Sequence, residues 1–472
     1  MLILLFSCLL SGSWAAGIKV EHIRMHYIEE AAGLSEWSAQ LTVSWRHAWR
    51  NGRNHDAAWI FFKLKNKDGR ASHLKVAPSR MSVLETHGPK MPKAVLQASS
   101  DSLGLYLYPA ADYRGDLSYT LKVHFKAPPP NLYIWENTLE AYALEMVYIP
   151  EGPFTLGDPD TLALEYNAFY RSGPGGQFDG LYAILSEEEI AVGPEEGALY
   201  YRSKNPIYNG DQQGPIPAAF PKGFRAFYLM KYEITQGQYA AFLNNIDKEG
   251  AAIRANFGGP DYYSSRGTIR FEDGQYVAGA PERPLNFVSW EDGIAFADWA
   301  ALRPMTEFEF TKACRGGGRP IAHEYPWGTG EAGQIARIVD TKDNLVLING
   351  YTEANLTDAT RPYIGASYYW VMDLAGSVWE KVITPGNETG RQFSGRHGDG
   401  RLGYLANANV PGWPDDNDHK GGFGYRGGGF YEQGKAFSAF NPYSPIAYRR
   451  FGAWSGGPRY IAYGFRCART AD

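Results

Sequence analysis

Cysteine is nearly absent from this chain: there are three in 472 residues, Cys8, Cys314 and Cys467. So few thiols exclude a disulfide-dense scaffold, and their wide spacing excludes a zinc site, which needs about four ligands with local spacing. An excess of charge of one sign is also missing. A net charge of -5 and a pI near 6.1 leave no electrostatic footprint for a polyanion, so nucleic acid is not an expected partner. Beyond the first residues, no stretch approaches the roughly 20 apolar residues of a membrane helix. What the chain has in quantity is glycine (54), proline (29) and aromatics (15%), with 44% hydrophobic and 21% charged residues. That composition describes a loop-rich globular protein in which helix is the minority state. At about 100 to 200 residues per domain, the length suggests two or three domains.

Residues 1–15 read as a signal peptide. Leu2 to Leu10 supply an apolar core and Ser13-Trp14-Ala15 the small residues of a cleavage site, so export is expected although a basic start is lacking. A rival reading takes Leu5-Phe6-Ser7-Cys8 as a lipobox with Cys8 as a lipid anchor; the short lead-in and Phe6 fit it badly. After cleavage, Cys314 and Cys467 remain, and an even pair in an oxidising compartment reads as a disulfide. It would close a loop of roughly 150 residues and remove several kcal/mol of unfolded-state entropy.

The expected fold class is α+β. Residues 17–127 predict a β-sandwich, from runs at Gln40 to Trp45, Ala57 to Lys65, Gly104 to Tyr108 and Ser118 to Phe125 separated by turns such as Asn51-Gly52. Trp45, Trp49 and Trp59 are read as core residues before they are read as a ligand platform. Pro128-Pro129-Pro130 opens a linker, 128–138, that neither strands nor helices favour. The segment 139–472 follows, with an insertion at 158–222 folded onto its surface. Capping residues at Thr235, Ser289 and Thr306 predict helices over Thr235 to Asn244, Trp290 to Ala300 and Thr306 to Ala313.

Eight ordered motifs occupy that second segment: Met146-Val147-Tyr148-Ile149-Pro150; Tyr232-Glu233-Ile234-Thr235; Pro284 to Trp290; Arg303 to Phe310; Tyr325-Pro326-Trp327-Gly328; Met372 to Glu380; Arg426-Gly427-Gly428-Gly429-Phe430; and Gly464-Phe465-Arg466-Cys467-Ala468. In this order they resemble the formylglycine-generating (sulfatase-modifying factor) family. The resemblance implies a C-type-lectin-like domain with low regular secondary structure, and it implies that Cys314 and Cys467 pair. It also implies an active site built from two cysteines that bind copper(I), at positions where this chain has Glu432 and Phe437. A carboxylate and a phenyl ring cannot replace two thiolates, because copper(I) selects soft sulfur donors. The iron site of the ergothioneine-pathway branch, built with a His-rich helical domain, also has no counterpart.

Calcium is the remaining family ligand, and it would be structural. Asp373 and Glu380, with the backbone at 376–378, lie in the matching motif, although Ser377 stands where asparagine is usual. Asp340, Asp343 and Asn344 form a second candidate loop, whereas Asp415, Asp416, Asn417 and Asp418 read as a solvated turn. Glu432, Arg449, Arg450, His397, Asp399 and Tyr448 are expected near the ancestral pocket, where a carboxylate beside arginines could hold a charged ligand or act as acid and base; the simpler reading makes Glu432 a salt-bridge partner.

The function expected first is therefore a non-catalytic exported pseudoenzyme: a binding or assembly module for a protein or glycan, presenting aromatics such as Tyr166, Tyr170, Tyr200, Tyr201, Tyr262 and Tyr263 in loops. The alternatives are an oxidoreductase of the formylglycine-generating type, a repurposed enzyme, and a surface component that self-assembles through edge strands.

Overall fold

The computed structural model describes residues 6–7, 17–29, 35–126 apart from 68, 70 and 89, 137–331, 337–339, 345–347, 350–414, 421–430 and 445–472. The candidate leader apart from Phe6–Ser7, most of the linker 128–138, Asp340, Asp343, Asn344, Glu432, Phe437 and the 415–418 turn lie outside the described residues. Many strands and few short helices make the architecture mixed α and β.

Each predicted strand of the first segment forms, but the strands do not close into a separate domain. Two of them, with three strands not expected, build one five-stranded antiparallel sheet in the order Phe6–Ser7, Ile18–Glu29, Ser35–Arg50, Tyr113–Phe125, Val76–Thr86. The others join an eight-stranded sheet that runs through the whole molecule: Arg303–Pro304, Cys467–Thr470, Phe227–Met230, Thr138–Ile149, Asp56–Lys65, Leu105–Pro109, Ala94–Ala98, with Ala71–Leu74 beside Asp56–Lys65. Thr138–Ile149 returns from the linker and pairs with Asp56–Lys65 from Thr138↔Lys65 to Val147↔Asp56. The expected boundary thus corrects to a shared sheet, with one layer of the presumed sandwich belonging equally to the second half.

The sequence of Asp56–Lys65 explains why it sits at the centre. Nine of its ten residues are buried, so both faces are covered. Alternation sends Ala58, Ile60, Phe62 and Leu64 into the core against the five-stranded sheet, with Leu41, Val43, Tyr119 and Leu121. Ala57, Trp59 and Phe61 enter the largest core, with Tyr228, Phe242 and Trp299. Trp45, Trp49 and Trp59 are all buried, and Trp59 Nε1 donates to the Ala300 carbonyl across the seam at 2.9 Å.

The three predicted helices appear as Gln236–Asn245, Trp290–Trp299 and Glu307–Arg315, each opened by a reciprocal capping box: Thr235 with Gln238, Ser289 with Asp292, and Thr306 with Glu309. The insertion reaches deeper than expected, since Phe169, Leu199, Tyr201, Ile216 and Phe220 join the largest core.

The expected disulfide is absent: Cys314 and Cys467 are free, buried thiols. Alternation along Cys467–Thr470 explains this. Ala468 points into the core that holds Cys314, so Cys467 points to the opposite face, into a different core.

Candidate functional site

Strand Trp379–Ile383 organises the site. It pairs antiparallel with Phe423–Arg426, placing Glu380 opposite Arg426 and Lys381 opposite Tyr425, and parallel with Tyr463–Gly464, placing Trp379 opposite Tyr463. The period of two therefore puts Trp379, Lys381, Tyr425 and Tyr463 on one face and Glu380, Val382 and Arg426 on the other. One face becomes an aromatic floor, and the other a buried ionic layer.

In the ionic layer, Glu380 Oε1 accepts from Arg466 Nε at 2.8 Å and Nη2 at 2.6 Å, and Arg466 also donates to the carbonyls of Met230, Lys231 and Met372. Glu233 lies beside them; burial, and then repulsion by Asp373, push its carboxyl up to about 8. Next to this group, Glu307 Oε2 accepts from Arg449 Nη2 at 3.1 Å, and Glu307 Oε1 lies 3.5 Å from Arg426 Nη1. Arg449 is fully buried and stacks over Phe169 and Tyr201 at 4.1 and 4.4 Å. Its charge is consumed inside the protein.

Above the aromatic floor lies a cleft of about 760 Å³. The insertion forms its opposite wall through the turn of 3-10 helix Thr161–Tyr166, capped by Asp160, and through helix Pro206–Asn209, capped by Asn205. Main-chain bonds lock this wall to the loop before the last strands, from Arg449 N to Tyr166 O at 2.9 Å and from Ala453 N to Tyr208 O at 3.0 Å. The loop adds Arg450, Phe451, Trp454 and Tyr460 to the lining. Lys381 is already engaged: its ammonium sits 5.1 and 5.0 Å from the Tyr425 and Tyr463 rings and donates to Val288 O, and burial lowers its pKa to about 7.

The expected pocket residues are dispersed. Arg450 lines the cleft, and Tyr448 lies behind Tyr166, stacked at 4.0 Å and bonded to His323 Nδ1 at 3.0 Å. His397 belongs to the seam instead, where its Nε2 accepts from Thr470 N at 3.0 Å and burial brings its pKa down to about 4. Asp399 is held there too, its amide donating to Asp298. Of the loop aromatics, Tyr166 lines the cleft, Tyr170, Tyr201 and Tyr262 are buried, and Tyr263 lines a different groove. Tyr208, Tyr425, Phe451, Trp454, Tyr460 and Tyr463 were not singled out from sequence. Only the high aromatic content pointed to them, because they come from three separate segments.

A sulfatase-modifying factor enzyme 1-like domain (FGE-sulfatase) matches residues 186–471, more than half of the chain. The protein belongs to this family. It is 32% identical over 174 residues to the hercynine oxygenase of Mycobacterium tuberculosis, covering 34% of this chain and 38% of that protein. It is also 32% identical to two formylglycine-generating enzymes. With that of Streptomyces coelicolor the match covers 197 residues, 37% of this chain and 61% of the relative; with that of Thermomonospora curvata it covers 118 residues, 23% and 35%. In each case the chain spans less than two thirds of the relative's length.

Of the expected metal positions, Glu432, Phe437, Asp340 and Asn344 lie outside the described residues. Cys314 and Cys467 stand in different cores, and burial raises both thiols well above their usual pKa, so they do not form a thiolate pair for copper(I). Among the described residues, no three of His, Cys, Asp and Glu converge on a metal position. At Asp373 and Glu380, the expected calcium place, the Arg466 guanidinium supplies the positive charge that Glu380 faces.

Proposed function

We propose that this chain is a non-catalytic, exported member of its family that serves as a binding or assembly module at the cell surface or outside the cell. The aromatic cleft is its contact surface, and its partner is a protein or glycan. The lack of thiols where the resemblance puts the reactive pair carries this reading: the stretch from Arg426 to Arg466 contains no cysteine, and Cys314 and Cys467 are buried in different cores. Export rests on the apolar run Leu2 to Leu10 and the small residues before Ala15.

The alternative is an oxidoreductase of the formylglycine-generating type or a repurposed enzyme, and the names of the relatives favour it. Incubating the purified chain with copper and a cysteine-containing sulfatase peptide separates the two. The expected outcome is no formylglycine above the enzyme-free control, by mass spectrometry. Copper-dependent formylglycine above that control overturns the binding reading.

A further inference from the structure

We propose that the cleft between the insertion and the three-stranded sheet binds a neutral carbohydrate chain, whose sugar rings stack on Tyr208, Trp454 and Tyr460. The inference rests on the binding-module reading and names the ligand class of the same site.

The rings form a connected row rather than scattered surface aromatics. Tyr208 lies 5.8 Å from Trp454, Trp454 lies 6.4 Å from Tyr463, and Tyr463 lies 5.3 Å from Tyr460, centroid to centroid. Tyr208 is 37% and Tyr460 41% exposed, so the row reaches water at both ends. Contiguous apolar surface of this kind marks an interaction site, whereas isolated exposed rings do not.

The lining decides among possible occupants. Among the described residues that line the cleft there is no Leu, Ile, Val or Met. An amphipathic helix would find no aliphatic groove for its Leu-type anchors, since grooves that bind such helices use aliphatic and Met-rich surfaces. A cationic ligand meets rings already engaged by Lys381, and Arg450 close to Phe451 at 5.8 Å. A second positive charge there is repelled. An anion faces the negative side of the ring quadrupoles, and at the rim Glu165 pairs with Lys204 at 2.6 Å and with Arg202 at 2.5 Å. Glu165 thus offsets only part of the positive charge of Lys204, Arg202 and Arg450, and that excess sits at the rim, whereas the floor is uncharged rings. A neutral sugar meets each requirement: the C–H face of its ring packs on an aromatic face, while its hydroxyls reach the amide, ammonium and carboxylate groups at the rim.

The test uses the full chain in native gels that contain mannan, β-glucan or xylan as neutral probes and heparin as the anionic one, with tryptophan fluorescence read in parallel. Retardation by at least one neutral polysaccharide is expected, with a change in emission. Tyr208→Ala and Trp454→Ala should each weaken binding about tenfold, the loss of one stacked ring. Tyr263→Ala, in the other groove, should leave binding unchanged. Thermal melts that match the parent exclude misfolding, and Tyr460→Ala replaces either variant that melts early. Absence of binding to all three neutral probes, binding to heparin alone, or binding that survives the ring substitutions overturns the inference. Capture of a purified surface protein that depends on Tyr208 and Trp454, without polysaccharide binding, rejects the carbohydrate while leaving the binding module standing. Formylglycine production rejects the module itself.

Discussion

Ser377 shows how a single residue carries the history of its loop. The turn before strand Trp379–Ile383 holds Trp370, Asp373, Gly376 and Ser377 at φ of 64°, 60°, 82° and 54°. In the left-handed region an L side chain costs about 1–2 kcal/mol, and asparagine, usual at this place by resemblance, tolerates it better than serine. Ser377→Gly should therefore stabilise the protein by about 0.5–1 kcal/mol, since glycine's greater unfolded-state entropy returns part of the gain. Urea melts check this, and a lower midpoint would mean that the serine hydroxyl contributes more than the strain costs.

Glu233 is the matching case in electrostatics. Its folded pKa, near 8, exceeds the ordinary 4.5, so the folded state holds the proton more tightly than the unfolded chain. Its contribution to stability is full below about pH 4.5 and falls as pH rises towards 8. Glu233→Gln, neutral throughout, should flatten that descent, and parent and variant melts compared from pH 5 to 8 should diverge steadily. Parallel curves would show that Glu233 is ionised in the fold. The motif Tyr232-Glu233-Ile234-Thr235 was visible in the sequence; the convergence of Glu233, Asp373 and Glu380 around Arg466 was not, because the four lie in three segments far apart in the chain.

At the scale of elements, the three-stranded sheet depends on backbone contact as much as on its rings. A Cβ on Gly424 would stand 2.0 Å from the Gly452 carbonyl oxygen, in the turn that carries Arg449 and Phe451. Gly424→Ala forces strand and turn apart, costing about 1–3 kcal/mol as overpacking does. Because that turn holds the insertion through Arg449 and Ala453, the variant should also lose any ligand response of cleft tryptophan fluorescence. A variant with parent stability and an intact response would show that the turn can yield. The three long helices were legible because their caps are local: Thr235, Ser289 and Thr306 each stand directly before the helix they start. The cleft was not legible, because Trp379, Tyr208 and Trp454 meet only through sheet register and the docking of the insertion.

For the whole molecule, the shared sheet makes the two halves one cooperative unit. Asp56–Lys65 lends one face to each core, and Lys63 Nζ reaches the Gly400 carbonyl at 2.7 Å. Residues 137–472 expressed alone would expose the face of Thr138–Ile149 that carries Leu139, Ala141 and Ala143, and they would lose Trp59 and Phe61 from their core. That fragment should be insoluble or unfolded, and the full chain should melt in one transition by calorimetry. Two separated transitions, or a soluble folded fragment, would restore the two-domain picture.

What the sequence determined by itself were the properties written in neighbouring residues: strand runs, helix starts, the family motifs and the lack of a second thiol near the last strands. Only the tertiary structure decided that Asp56–Lys65 is shared, that Cys314 and Cys467 face apart, and that rings from the insertion, from Trp379, from Tyr425 and from the 451–463 loop line one cleft. The reason is physical. Capping and periodicity act over three or four residues, whereas strand partners and side-chain meetings depend on which surfaces bury each other across hundreds.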